Sequence, residues 1–452
     1  YGGAIRAAQL GKQVILVEKD ELGGVCLNVG CIPSKALIHA AGLVHQAKSS
    51  QELGISAQVE VDFARLQRWK ESIVERLTDG IARLCRGNGV KIVQGTAGFS
   101  GPHEAVVATE EGDLTVEFED ALIATGSRPI ELPGLQFDGE LVLDSTDALA
   151  LEEIPEELFI VGGGYIGLEI GTAYAKLGSR VTVVEMMDQL LPGTESELVR
   201  PVARRLIGLN VEVYLQSKVD GLERDADGAE LLVETPEGRR SFSAKKILVT
   251  VGRRPSSAGL GLEEAGVELD DNGFIKVDER FRTTVEHIYA VGDVIGGPLL
   301  AHKAIKEGEL AAEEIAGLAP RSPKAIPAAI FTDPEIAMVG LTEAEAREQG
   351  HEPRIRRFPY GALGRALTKG APEGFIKLVA DSDGRLLGAQ IVGAGASELV
   401  SEAALAIEVG ARLEDLARTI HPHPTLSEGL GEAAAAALGR PLHILPRRSP
   451  RP

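Results

Sequence analysis

Sulfur and aromatic rings are scarce in this chain: three cysteines, three methionines and one tryptophan among 452 residues, with aromatics at 4% of the total. Three cysteines are too few for a secreted disulfide framework, so a close pair among them points to redox or metal chemistry. Metal is the weaker option, because the pair has no second CxxC and no histidine at ligand spacing, which structural zinc needs. Positive charge is also short, with 47 Lys and Arg against 67 Asp and Glu and a net charge of −20. Nucleic-acid binding relies on clustered positive charge, so no nucleic-acid partner is expected, while basic partner surfaces stay possible. No run of about 18 or more apolar residues suggests a membrane span, and no signal peptide is visible. No membrane partner is therefore expected, and the cytoplasm is the expected compartment. What is present is a chain with 44% hydrophobic residues, long enough for three domains with substantial cores.

Two of the cysteines, Cys26 and Cys31, lie in Gly-Gly-Val-Cys-Leu-Asn-Val-Gly-Cys-Ile-Pro-Ser-Lys, from Gly23 to Lys35. On a regular helix, residues five apart are offset by about 7.5 Å of rise and point to different sides. A disulfide needs its Cα atoms roughly 4.4 to 6.8 Å apart. A bridge therefore requires a non-helical segment between the two, which Gly30 can supply, and Pro33 suits the first turn of a helix beginning near Cys31. A cysteine at a helix N-terminus is placed to hold a thiolate, the reactive form in thiol exchange. Taken bare, such a pair reads first as two reduced cysteines on a buried turn, and the flanking residues have to decide.

Two nucleotide-binding patterns follow. Leu158 to Val161 predicts an apolar strand, Gly162-Gly-Gly-Tyr-Ile-Gly167 matches GxGxxG, a helix continues to Lys176, and a second strand spans Arg180 to Glu185. Glycines in that turn let a pyrophosphate approach a helix N-terminus, and an acid about 20 residues on binds the ribose. Gly162, Gly164, Tyr165, Ile166, Gly167 and Glu169 are the candidates on the turn and helix. Glu185 is the ribose acid; it would repel a 2′-phosphate and no arginine follows closely, which favours NAD over NADP. At the start of the chain, a helix over Tyr1 to Gly11 and a strand over Gln13 to Glu18 read as the latter half of a second such unit, with Glu18 as its acid. Only Gly2 and Gly3 stand where a complete glycine turn is expected, so the first strand and glycine-rich loop are read as missing from the sequence as written.

Elsewhere the pattern predicts helices over Ile32 to Ala47 and Asp62 to Cys85. The second carries a core stripe of Phe63, Leu66, Ile73, Leu77, Ile81 and Leu84, with Cys85 structural. Strands are expected over Lys91 to Val93, Glu104 to Thr109 and Leu114 to Thr125, the last running into Ala-Thr-Gly-Ser-Arg-Pro. From about Ala328 the chain changes to an α+β unit. Thr342 and Glu345 form a capping box, strands cover Phe375 to Ala380 and Leu386 to Val392, and helices cover Glu398 to Val409 and Leu413 to Arg418. Near its end stands His421-Pro-His-Pro-Thr-Leu-Ser-Glu428, in which Glu428 is spaced to orient His423, a residue able to move protons near neutral pH.

The string GGVCLNVGCIPSKAL closely resembles the active-site segment of the flavin-dependent pyridine nucleotide-disulfide oxidoreductases, most of all their dihydrolipoamide-oxidising branch, and the HPTxxE ending matches as well. The resemblance implies an α/β fold with two Rossmann-like domains for FAD and NAD and a C-terminal α+β dimerisation domain. It divides the chain into 1–147 (FAD), 148–260 (NAD), 261–327 (a central return to the FAD domain) and 328–452 (dimerisation). For FAD it implies Glu18, Gly24, Val25, Cys26, Lys35 as a flavin-facing cation paired with a carboxylate, Ala97, Thr125, Gly126, Asp293 on the flavin chain and Ala301 near the ring. For NAD it adds Val219 and Gly252. Cys26 becomes the exchange thiol and Cys31 the flavin-facing one. His423, held by Glu428, becomes a base that reaches the other subunit's cysteines, so the active form is a homodimer. The implied activity is oxidation of protein-bound dihydrolipoyl groups to lipoyl, with electrons passing through the disulfide and FAD to NAD. The implied partners are the lipoyl domains and acyltransferase core of 2-oxoacid dehydrogenase complexes. Two alternatives stay beside it: a disulfide reductase of glutathione or mercuric type, and a docking subunit with impaired catalysis.

Overall fold

The computed structural model describes residues 1–224 and 228–446, which divide into two units. The first comprises Tyr1–Glu156, Gly221–Glu230 and Ser243–Ser322. Its helix Gly2–Gln9 leads to the strand Ile15–Glu18, which pairs in parallel with Lys91–Gln94. That helix lies hard against the helix Ala301–Ile315, since a Cβ on Gly3 would come within 2.9 Å of the Gly308 carbonyl oxygen. The expected single run from Leu114 to Thr125 is two strands. Gly112–Glu117 closes an antiparallel three-stranded sheet with Glu104–Thr109 and Thr96–Gly101, while Ala121–Ile123 pairs in parallel with Ile288–Ala290. One apolar run thus serves two sheets, and the break at residues 118–120 lets the strand direction change.

The long helix Phe63–Gly87 begins where Asp62 accepts a hydrogen bond from the Arg65 amide at 2.9 Å. Its buried face differs from the expected stripe. Phe63, Ile81 and Cys85 are buried, but Leu77 is 40% exposed and Leu84 58%. The face is rotated towards Gln67 and Lys70, both buried, whose side-chain nitrogens donate to the Leu149 carbonyl at 3.2 and 2.5 Å. These bonds satisfy the C-terminal carbonyl of the helix Ser145–Leu149, a demand that apolar periodicity does not register. Burial pushes the Lys70 ammonium below its usual range, against a smaller pull upward from Glu71.

By length and hydropathy, Gly24–Ser49 would suffice to cross a bilayer, against the expectation from the sequence. It is two helices, Gly24–Asn28 and Cys31–Ser49, broken at Val29 and Gly30 and bridged by a disulfide.

The second unit comprises Glu157–Asp220, Leu231–Phe242 and Pro323 onward. Strands Glu157–Val161, Arg180–Val184 and Glu212–Tyr214 pair in parallel, and the helix Tyr165–Leu177 covers them closely. A Cβ on Gly171 would sit 2.5 Å from Ile160 Cδ1. The α+β part is a five-stranded antiparallel sheet in the order Ala328–Ile330, Ile336–Gly340, Leu386–Val392, Phe375–Ala380, Arg354–Pro359. Phe358, Tyr360, Ile376, Leu378 and Ile391 build its core with Val400 and Leu430 from the helices Ala396–Val409 and Glu428–Ala437. The Thr342–Glu345 capping box is present in both its bonds. Lys377, 1% exposed, is held by Glu195 and Glu197, each at 2.7 Å, so its buried charge is paired.

Candidate active site

The cysteine segment is shaped by its glycines. Gly23, at φ 117°, opens the short helix Gly24–Asn28 that carries Cys26. The break expected between the cysteines is confined to Val29 and Gly30, so Cys26 itself is helical. A Cβ on Gly30 would lie 2.9 Å from the Val25 carbonyl oxygen, which is why the tight return needs glycine there. The return brings the Cα atoms of Cys26 and Cys31 to 4.5 Å, and the two sulfurs are bonded. Cys31 is the first residue of a nineteen-residue helix that has no side-chain N-cap bond, so the helix dipole acts on its sulfur. Asn28 braces the segment: its Nδ2 donates to the carbonyls of Glu21, Leu22 and Gly24 at 3.1, 3.2 and 3.1 Å, and its Oδ1 accepts from Thr78 Oγ1 at 2.8 Å. Sequence reasoning passed over Asn28, although an amide inside the cysteine spacer was the available signal. Lys35 follows one turn after Cys31 and donates to Ser34 Oγ at 3.3 Å.

The remaining FAD candidates of the first unit lie on turns and element ends. Glu18 closes its strand and accepts the Asp20 amide at 3.0 Å. Gly24 and Gly126 take φ of 71° each, Thr125 is exposed beside Gly126, and Val25 is exposed in the cysteine segment. Ala97 lies on the strand Thr96–Gly101. Asp293 sits in the one-turn 3-10 helix Gly292–Ile295, and Ala301 opens a fifteen-residue helix that lacks a side-chain N-cap bond. Gly252, a candidate for NAD and not for FAD, also falls in this first unit; at φ 127° it precedes the strand Arg253–Pro255.

In the second unit, Gly162 has φ 104° and Gly164 is the N-cap of the helix that Tyr165 and Ile166 begin. Glu185, the candidate ribose acid, is buried and accepts the amides of Gly163 at 2.6 Å and Met187 at 2.8 Å, which ties it to the glycine turn. A Cβ on Gly163 would meet Leu190 Cδ2 at 2.7 Å and Glu185 Cβ at 3.1 Å, so this turn is a cradle of bare backbone that fits a pyrophosphate. Gly167 and Glu169 are buried in the helix, where Glu169 accepts the Phe331 amide at 2.8 Å. Val219 is half-buried on the strand Lys218–Arg224.

Near the end of the chain, His423 Nδ1 lies 2.8 Å from Glu428 Oε1, and the Thr425 amide donates to Glu428 Oε2 at 2.8 Å. Burial raises the Glu428 pKa, but the Thr425 amide, the His423 bond and the charges of His423 and His443 outweigh it and leave the carboxyl below its ordinary range. With Nδ1–H donating to the carboxylate, Nε2 of the exposed His423 is left to accept a proton. His421 is a half-buried neighbour held by Glu402 at 2.8 Å. Among the described residues no cluster of three or more His, Cys, Asp or Glu side chains could hold a metal.

Residues 1–308 match the family model described as pyridine nucleotide-disulphide oxidoreductase, and residues 326–434 match the dimerisation domain of the same family. The chain belongs to the pyridine nucleotide-disulphide oxidoreductases, with the α/β fold and C-terminal dimerisation domain that its sequence led us to expect. It is 51% identical to the dihydrolipoyl dehydrogenase of Haloferax volcanii, over 99% of this chain and 96% of that protein. It is 50% identical to the dihydrolipoyl dehydrogenase of Bacillus subtilis, over 98% and 95%. Among solved structures, LpdA from Mycobacterium tuberculosis superposes with a TM-score of 0.89 at 28% identity, covering 96% of this chain and 97% of that one. The HOCl-induced flavoprotein disulfide reductase RclA from Escherichia coli gives 0.84 at 28% identity, covering 96% of each.

Proposed function

We propose that the protein is an NAD-linked dihydrolipoyl dehydrogenase that takes FAD and works as a homodimer. The observation that carries the reading is the Cys26–Cys31 disulfide at a helix N-terminus, in a chain that also holds a His423–Glu428 dyad and an NAD-type glycine turn. Each dyad serves the cysteines of the other copy. His423 Nε2 takes the proton of a dihydrolipoyl thiol, and the resulting thiolate attacks the Cys26 sulfur. The Cys26–Cys31 bond breaks and Cys31 leaves as a thiolate, stabilised by its helix dipole. The second substrate thiol gives its proton to the departing Cys26 sulfur as it attacks the substrate sulfur of the mixed disulfide, which releases the lipoyl disulfide and leaves Cys26 as a thiol. One electron pair has then moved from the substrate dithiol to the two cysteines. The chemistry that bound FAD would supply is transfer of that pair from the cysteines to NAD, with the disulfide re-formed and NADH and a proton as products. Glu18, Gly24, Val25, Lys35, Ala97, Thr125, Gly126, Asp293 and Ala301 hold the flavin. Gly162 to Gly167, Glu169, Glu185, Val219 and Gly252 hold NAD.

The physiological donor on this reading is a lipoyl domain in a cytoplasmic 2-oxoacid dehydrogenase complex, with the acyltransferase core as the docking partner. The test is NADH formation with a dihydrolipoyl-bearing domain as donor, run beside dihydrolipoamide, oxidised glutathione with a reduced nicotinamide, and NADP. Turnover with the dihydrolipoyl domain and NAD, well above the other pairs, is expected. Preference for glutathione or NADP would reject the assignment, and a flavin-free protein that binds the core without turnover would mark a docking subunit.

A further inference from the structure

The turn that carries Asp293 is gripped from both sides by residues outside the sites assigned so far. Its ends need left-handed backbone, Gly292 at φ 77° and Gly296 at φ 78°, and one helical turn of Ala301–Ile315 spans both. Lys303 Nζ donates to the Gly296 carbonyl at 3.0 Å and to Glu307 at 2.9 Å, while Glu307 Oε2 accepts the Gly292 amide at 2.9 Å. Both side chains are nearly buried, 7% and 12% exposed. A buried ion pair contributes little net stability over apolar side chains of the same volume, but it fixes the positions of the groups it bonds.

On the other side, the strand Arg253–Pro255 pairs antiparallel with Ser127–Pro129. Arg253 Nε donates to Ser127 Oγ at 2.7 Å and its Nη2 donates to the Ser127 carbonyl at 2.6 Å. Arg253 can only donate and the Asp293 carboxylate only accept, so the Ser127 hydroxyl accepts from Arg253 and gives its single proton to Asp293 Oδ2, 2.5 Å away. Asp293 Oδ2 is thereby committed, and no described protein donor reaches Oδ1.

We propose that Ser127 with Arg253, and Lys303 with Glu307, form a clamp that positions Asp293 so that its free Oδ1 accepts a hydroxyl of the flavin's sugar-alcohol chain. The clamp rests on the FAD reading above. It makes these four positioning residues for cofactor retention, acting through Asp293 and not touching the reacting sulfurs.

The experiment strips FAD from the full-length protein, rebinds it, and reads the dissociation constant from flavin fluorescence together with the thermal midpoint of the FAD-free form. Ser127→Ala removes only the committed hydroxyl. It should weaken FAD about tenfold or more, the worth of one hydrogen bond to a charged group, and lower the FAD-free midpoint somewhat, since the hydroxyl bonds Arg253 and Asp293 within the protein, while leaving that form folded. Ser127→Thr should restore affinity, and Glu307→Gln, which keeps one acceptor, should fall between. Ser127→Ala with wild-type FAD affinity, or Ser127→Thr as weak as Ser127→Ala, overturns the clamp. Wild-type protein that takes up no FAD would overturn the functional reading itself, and the clamp with it.

Discussion

Replacing Glu428 by glutamine probes the dyad with almost no change of shape. Its two carboxylate oxygens each accept one bond at 2.8 Å, Oε1 from His423 Nδ1 and Oε2 from the Thr425 amide. A glutamine offers one oxygen and one NH2 group, so one of the two donors must face another donor. Losing a hydrogen bond to a charged acceptor costs about 1.5 to 3 kcal/mol, or roughly 10- to 150-fold in rate if the His423 bond is lost. The charge matters too, because the imidazolium formed when His423 takes a thiol proton loses its counter-ion. Rapid anaerobic mixing with dihydrolipoamide should therefore show flavin reduction slowed by at least about tenfold. Reduction of the same variant by NADH should keep its wild-type rate. Dithiol-driven reduction at the wild-type rate would refute the dyad's role. Stability gives a second signature. The folded pKa of Glu428 is depressed, so its stabilising contribution is complete above the ordinary glutamate range and is lost as pH falls through the lower folded value. The difference in unfolding free energy between wild type and Glu428→Gln should be flat near neutrality and close in acid.

Cys26→Ser should keep its flavin but lose exchange with dihydrolipoamide, and full activity in that variant would remove Cys26 as the exchange thiol. His423→Gln should slow dithiol oxidation by about 10² to 10⁴ without weakening NAD binding, as titration of the nucleotide would report. Glu185→Ala frees the amides of Gly163 and Met187 and should raise the KM for NAD at least about tenfold, with dihydrolipoamide-driven flavin reduction unchanged. Asp138 concerns stability alone. Burial pushes its pKa up, but the Arg224 guanidinium and the amides of Glu140, Val142 and Leu141 more than reverse this and bring it down to about 2. Asp138→Asn should cost less than about 1 kcal/mol at neutral pH, because solvent screens so open a site, and urea unfolding should find the gap closing as pH falls from about 4 towards 2.

Where interactions are local in sequence, the fold was legible beforehand. The strands Phe375–Ala380 and Leu386–Val392, the helix Leu413–Arg418 and the Thr342 capping box stand where the pattern placed them. The strand, glycine turn, helix, strand and acid from Leu158 to Glu185 were equally clear, since each step of that unit has its own local signature. Non-local demands were hidden. The polar face of Phe63–Gly87 answers carbonyls near residue 149, and the Ser127–Arg253 pairing joins segments 126 residues apart. Neither leaves a periodic trace, although Ser127 directly follows the candidate Gly126 and Arg253 directly follows the candidate Gly252. The five-residue helix around Cys26 was too short for periodicity to reveal.

The central claim is that electrons travel from a dithiol through Cys26 and Cys31 to the flavin and on to NAD. The most direct measurement is the flavin spectrum of the full-length protein under anaerobic conditions, with dihydrolipoamide and then NAD added in turn, beside a variant with both cysteines changed to serine. The wild-type spectrum should shift with the dithiol and recover as NADH appears, while the variant binds flavin and does not respond to the dithiol. An unchanged wild-type spectrum, or dithiol-driven NADH formation in the double variant, would contradict the account.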